Sequence, residues 1–473
     1  MSKHHHNRRK FLGTTLKGCA SLGLTTLYSG ITNMGLINAA AAANRNPYTP
    51  KPAAGNYKAL VCLLLSGGND SYNMLVPKGT AEYNEYANVR TNLALTQNSL
   101  LALNPTSSDG KQYGVHPKLQ KMRNLFESGN TAFIANIGAL VAPTTLSDFQ
   151  NDVNLPIGLF SHSDQQQHWQ TSIPQDKNAI GWGGRLADIL HTNNANNDIS
   201  MNISLSGINL FQKGNQIQNY SIERQGTGSV LINDSDQSDF YNVLKRQTLD
   251  NILDQSYQNV LETAYTDVIS NSKSHSIQFG AAIAGGTPIN TYFRDDNLSQ
   301  QFNMVAKTIA ARDLLGVSNQ TFFIEFGGFD THDNFLTEHS DLMENLDNAL
   351  MSFYDAMAEL GLENDVTTFT ISDFARKLVS NGNGADHAWG GHAMVMGGDV
   401  KGKNIYGQYP DLHLGNSLDT GSGRIIPTTS CDEYFAELAL WFGASHSDIN
   451  QIFPNINNFW TPTTGNYPIG FMN

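Results

Sequence analysis

Cysteine is nearly absent from this chain, with three residues in 473. That excludes a disulfide scaffold. Cys62 sits inside an apolar, strand-like run, so a buried free thiol is its expected state. A single bridge to Cys431 is the alternative. Charge is also scarce. Asp, Glu, Lys and Arg make up 15% of the residues, against about a quarter in an ordinary domain. Asn and Gln take much of the surface instead. Positive charge is scarcest of all. Five of the 29 basic residues and none of the 42 acidic ones fall in residues 1–43, which leaves 24 against 42, a net charge near −18. Such a balance argues against nucleic acid and against anionic membrane surfaces as partners. No run of about 18 apolar residues follows, so no membrane span is expected.

What is present begins with a targeting segment. Arg8-Arg9-Lys10-Phe11-Leu12, a moderately apolar run and then Ala39–Ala43 form a twin-arginine export pattern. Residues 1–43 are read as the signal peptide, and the mature protein as periplasmic or extracellular. Cys19 follows Lys17-Gly18 and lies before most of the apolar run, a poor setting for a lipid-attachment cysteine. His4–His6 lie upstream of the cleavage point and are not counted as ligands. Residues 44–473 are read as one domain, large enough to bury a sizeable core.

The mature chain alternates strands and helices. Ala59–Leu65 is a continuous apolar run, as in a strand covered on both faces. Thr131–Gly138, Phe322–Phe326, Val366–Ile371 and the short Ala393–Met396 read as further strands. Ile199–Leu205 alternates and predicts a half-exposed strand, with 199–235 as an edge hairpin or lid. Helical spacing appears over Pro117–Ser128, Trp182–His191, Phe240–Ile269, Gln301–Leu315 and Glu338–Leu360. A shorter helix is expected at Phe374–Val379. This order predicts an α/β fold, a doubly wound and mostly parallel sheet with helices on both faces. There is no internal repeat.

In open α/β sheets, ligands bind beyond the carboxyl ends of the strands. Four segments place Asp or His there or beside glycines: Asp70; Asp330 with His332; Asp373; and Asp386, His387 and His392. Carboxylates and imidazoles together suit zinc or manganese, one or two ions. Ser161, in Ser161-His162, offers a hydroxyl for attack. Displacement at phosphorus or sulfur needs a metal to polarise the ester and lower the nucleophile's pKa. Each residue also has a plainer reading. Asp70 suits a turn, Asp373 suits a helix N-cap, and serine or histidine in a polar loop needs no special role. His339, at a helix start, is read as structural.

The succession GGNDSYNMLVP, SHSDQQQHWQT, GGFDTH, SDFARKL and NGNGADHAWGGHAMVMGG resembles the exported domain-of-unknown-function family 1501, over about Lys58 to Leu412. That family is placed with the alkaline phosphatase-like superfamily, beside sulfatases and cofactor-independent phosphoglycerate mutases. The resemblance implies a doubly wound sheet with metal ligands on its strand ends, and hydrolysis of a phosphate or sulfate ester. Carried over, Asp70 stands at the first metal aspartate, Ser161 in the nucleophile loop, and Asp330 with His332 at one metal site. Asp373 stands at the aspartate of a Ser-Asp-His motif, and His387 or His392 supplies the late histidine. Arg376 is expected to hold the substrate anion. Two departures stand out. The Asp–His pair is spaced by two instead of the usual four, with His339 a substitute partner, and Phe374 replaces a histidine. The sulfatase Cys-x-Pro-x-Arg signature is absent. The expected partner is a small-molecule or glycan ester. The alternative is a non-catalytic exported protein on a degenerate hydrolase fold, which binds a glycan or assists another exported protein.

Overall fold

The computed structural model describes residues 56–107, 109–228 and 240–473. The expected twin-arginine leader and the end of the 199–235 segment lie outside the described residues. These residues fall into two compact units, 240–278 and the remainder. The smaller unit carries helix Phe240–Leu253 and the first part of helix Val260–Gly285, and Lys273 pairs with Asp250 inside it. The single helix expected over Phe240–Ile269 is thus broken, with 254–259 as a turn.

The larger unit is built on a nine-stranded sheet. Its strands are β1 (Lys58–Leu65), β2 (Thr131–Gly138), β3 (Asn202–Ser204), β4 (Tyr220–Ser221), β5 (Asn319–Phe326), β6 (Val366–Ser372), β7 (Gly391–Met396), β8 (Ile405–Gly407) and β9 (Thr429–Ser430). They run in the order β8-β2-β7-β6-β1-β5-β3-β4, with β9 also on β2. All pairs are parallel except those of β7, which is antiparallel to both its neighbours.

Side chains alternate across a strand, and β1 shows what that means for a central one. Ala59, Val61, Leu63 and Leu65 join one core, with Phe126, Phe302 and Phe353. Leu60, Cys62 and Leu64 join the other, with Trp169, Trp182 and Phe435. The first core is covered by α1 (Gln120–Glu127), α4 (Asn297–Ala310) and α5 (Phe335–Glu359), the second by α2 (His162–Thr171), α3 (Trp182–Leu190) and α6 (Cys431–Phe442). Helices therefore lie on both faces of a mostly parallel sheet, the doubly wound arrangement expected from the sequence. Cys62 and Cys431 are both buried and free.

Two strand readings change. β3 is buried throughout, because it lies between β5 and β4 instead of standing half-exposed at an edge. β3 and β4 pair in parallel, so this part of the segment is not a hairpin. The helix expected at Phe374–Val379 is replaced by strand Arg376–Ser380, antiparallel to Ala385–His387. Asn381-Gly382-Asn383-Gly384 between them is a strong turn signal, and it outweighs the weak helical pattern before it.

Register sets the site. Leu65, the last residue of β1, pairs with Phe326 of β5 and Ser372 of β6. Three strands thus end side by side, and Ser66–Asp70, Gly327–His332 and Asp373–Arg376 leave from one level. Gly67 lets two of these loops touch. Its φ is +112°, and a Cβ there would lie 2.5 Å from the Asp330 nitrogen.

Candidate metal centre

Three side chains, His162, Asp330 and His387, converge above these strand ends, with His332 beside them. Asp330 and His332 follow β5, His387 ends the short hairpin, and His162 opens α2. His387 Nε2 lies 3.1 Å from His162 Nε2 and 3.1 Å from His332 Nε2. Asp330 Oδ1 lies 2.9 Å from His332 Nε2, 3.4 Å from His162 Nε2 and 3.6 Å from His387 Nε2.

The other ring nitrogens fix the tautomers. His387 Nδ1 is 2.8 Å from the Phe160 carbonyl. A carbonyl only accepts, so Nδ1 carries the hydrogen and Nε2 a bare lone pair. His162 Nδ1 is 2.6 Å from Asp373 Oδ2. That carboxylate also accepts from the Gly67 N–H at 3.1 Å and the Gln166 amide at 3.1 Å, so the Nδ1 hydrogen of His162 is held there and Nε2 faces the site. Arg376 Nη1 donates toward His332 Nε2 at 3.3 Å. The Nε2 atoms of His162 and His387 therefore face one another, while that of His332 faces the Arg376 guanidinium. Burial first, then the neighbouring cations, lowers the His387 pKa and keeps its ring neutral.

Asp330 completes the set as an anion. Burial would raise its pKa, but the Arg376 guanidinium at 2.5 Å and the adjacent imidazoles outweigh that and hold it below the usual carboxylate range. The Nε2 atoms of His162 and His387 and the Asp330 carboxylate oxygen face one point, and neutral rings there repel the carboxylate unless a cation lies between them. Ligands at about 2.0–2.2 Å from a tetrahedral ion stand about 3.4 Å apart, which matches the 3.1–3.6 Å separations among His162, His387 and Asp330. Imidazoles whose far nitrogens are tied to a carboxylate or a carbonyl are the usual form of metal-ligating histidine. The donor set fits a divalent ion such as zinc.

The remaining sequence candidates take other places. Asp373 is fully buried one step out and orients His162. Arg376 is fully buried too. It donates to Gly67 O, to Gly68 O (2.9 Å), to Phe329 O (3.0 Å), to Ala385 O (3.0 Å) and to Asp330. With its N–H groups so occupied it positions Asp330, and the expected role of holding a substrate anion is not available to it. Asp70 is buried in an ion pair with Arg90. His392 lies apart on β7, its Nδ1 accepting from the Asn136 N–H at 3.1 Å and its ring stacked on Tyr409. Burial pushes its pKa down to about 3. His339 is buried in the same way, with Nε2 3.2 Å from Asn69 Oδ1. The Ser161 hydroxyl lies 3.3 Å from Ser163 Oγ. Phe374 stacks on His387 with ring centroids 4.6 Å apart and packs on His162 at 4.8 Å. It walls the imidazoles with apolar surface.

Sequence reasoning missed His162. It took the Ser161-His162 pair for its hydroxyl, although a histidine at the first position of a helix beside a strand end was the available signal.

A family model described as a protein of unknown function, DUF1501, matches residues 57–420. The chain belongs to that family. No curated protein matches it. Among solved structures it is similar to the lipoteichoic acid synthase LtaP from Listeria monocytogenes, at 9% identity and TM-score 0.27, over 72% of this chain and 61% of that one. It is also similar to the periplasmic domain of EptC from Escherichia coli in complex with zinc, at 7% identity and TM-score 0.29, over 74% of this chain and 76% of that one. A third is the soluble domain of lipooligosaccharide phosphoethanolamine transferase A from Neisseria meningitidis, at 10% identity and TM-score 0.30, over 84% of this chain and 94% of that one. Among the described residues no helix is long and apolar enough to cross a membrane.

Proposed function

We propose that this DUF1501 protein is an exported metal-dependent hydrolase acting on a phosphate or sulfate ester. The observation that carries the reading is the convergence of His162 and His387 Nε2 with Asp330 Oδ1, the far nitrogens of both rings being tied down. These three residues would hold one divalent ion, zinc or manganese, with His332 adjacent. Such an ion supplies Lewis acidity to an ester oxygen and eases deprotonation of a nucleophile.

The chain's own groups divide the remaining work. Asp373 holds the Nδ1 proton of His162 and keeps that ring aimed. Phe160 O does the same for His387. Arg376 fixes Asp330 and keeps it ionised. Phe374 excludes water from one side of the imidazoles. Ser161, one residue before His162, is the candidate nucleophile.

The test is hydrolysis of p-nitrophenyl phosphate and p-nitrophenyl sulfate by the zinc- or manganese-loaded protein. The reading expects turnover of one of them that a chelator abolishes and that His387→Ala lacks. A protein that holds the metal and turns over neither ester would contradict catalysis and support the non-catalytic binding role.

A further inference from the structure

Beside the metal centre, the same edge of the sheet carries a second concavity. It is a cleft of about 540 Å³, within the roughly 300–1,000 Å³ of ordinary ligand sites. It lies where β3, β4 and β5 end. Its lining includes Ser206 after β3, Glu223 and Arg224 after β4, Gln301 on α4, and Glu325 and Gly327 at the end of β5. The β5 loop is shared, since Gly327 is three residues before Asp330. The cleft and the candidate ligands are therefore successive stations along one row of strand ends.

The chemistry of the lining is selective. Among the described residues of the lining, only Leu205 and Ile222 are aliphatic, too little apolar surface for an acyl chain, whose burial depends on apolar area. Carboxylates outnumber the single guanidinium, so a polyanion is disfavoured. Carboxylates, amides and a hydroxyl together are acceptors and donors spaced for a neutral group with many hydroxyls.

The geometry points to this cleft as the subsite for the sugar portion of a glycan ester, its phosphate or sulfate reaching the neighbouring metal centre. The reaction rests on the ester-hydrolase reading. The binding of sugar does not, and the two fail separately.

Gly327 gives a clean probe. A Cβ added there meets nothing within 4 Å, so Gly327→Trp fills the cleft with little pressure on the fold. Glu325→Gln is the gentler second variant. The full zinc-loaded chain is titrated calorimetrically with neutral tetrasaccharides of galactose, glucose and N-acetylglucosamine. At least one is expected to bind, at least tenfold more weakly to Gly327→Trp and measurably more weakly to Glu325→Gln. Zinc content and any aryl-ester hydrolysis stay within twofold of wild type. Failure of all three sugars to bind overturns the inference, as does equal binding by wild type and both variants. Sugar binding that survives in a protein with no metal or no esterase activity leaves the cleft assigned and removes only the hydrolase reading.

Discussion

At the scale of single residues, His162 depends on Asp373. The carboxylate takes its Nδ1 hydrogen at 2.6 Å, which turns Nε2 toward His387. Asp373→Asn removes no ligand yet is expected to weaken zinc affinity by about 10–100-fold, read by competition with a chromophoric chelator. Unchanged affinity would show that the ring is oriented without it. His392 supports a separate prediction. Its folded pKa is near 3, against about 6.5 in an unfolded chain. Between those values the unfolded chain binds a proton that the folded one does not, so stability falls as the pH drops through that window. His392→Asn keeps an acceptor for the Asn136 N–H and cannot titrate. Urea unfolding at pH 7 and pH 5 should show wild type losing roughly 2 kcal/mol more than the variant. Equal losses would mean the folded ring takes up the proton. The contrast between these histidines explains what the sequence could convey. Asp330 and His332 were nominated by their place after a strand and His387 by its place beside glycines, and the structure brings them together. His392 shared the same loop motif, but it falls on β7, where it is turned into the core against Tyr409. No local pattern marks that difference.

At the scale of elements, three strand ends in register do the positioning, and Gly67 is the hinge between their loops. Its φ is +112°, and a Cβ would approach the Asp330 nitrogen to 2.5 Å and the Phe329 carbonyl carbon to 2.9 Å. Gly67→Ala should therefore cost about 1–3 kcal/mol, seen as a lower Tm, and should also weaken metal binding by displacing Asp330. A lower Tm with metal affinity intact would separate the loop contact from the site. The continuous apolar run of β1 was plain in the sequence because a strand covered on both faces has no polar side to show. The hairpin Arg376–Ser380 with Ala385–His387 was hidden by a short helical pattern, although its Asn-Gly turn was visible. β3 was read as half-exposed because Asn202 and Ser204 are polar. They are buried, with Asn202 bonded to Gln212 O and to Thr321.

At the scale of the whole molecule, the doubly wound order followed from alternating strand and helix patterns, while the partner strands did not. Which strands lie side by side is decided by packing over hundreds of residues, and β1 lies between β5 and β6, from the far half of the chain. That placement brings Asp330, Asp373 and His387 to one point from separate segments. A bound ion would then link those segments and stabilise the fold by about 2.7 kcal/mol at a free concentration 100 times its Kd. The measurement that tests this most directly is the metal content of the purified mature protein by elemental mass spectrometry, for wild type, Asp330→Ala and His162→Ala. The account predicts about one equivalent of a divalent ion in wild type and its loss from both variants. A wild-type protein that stays metal-free after metal-replete expression and refuses added zinc and manganese would contradict it, as would variants that keep the full equivalent.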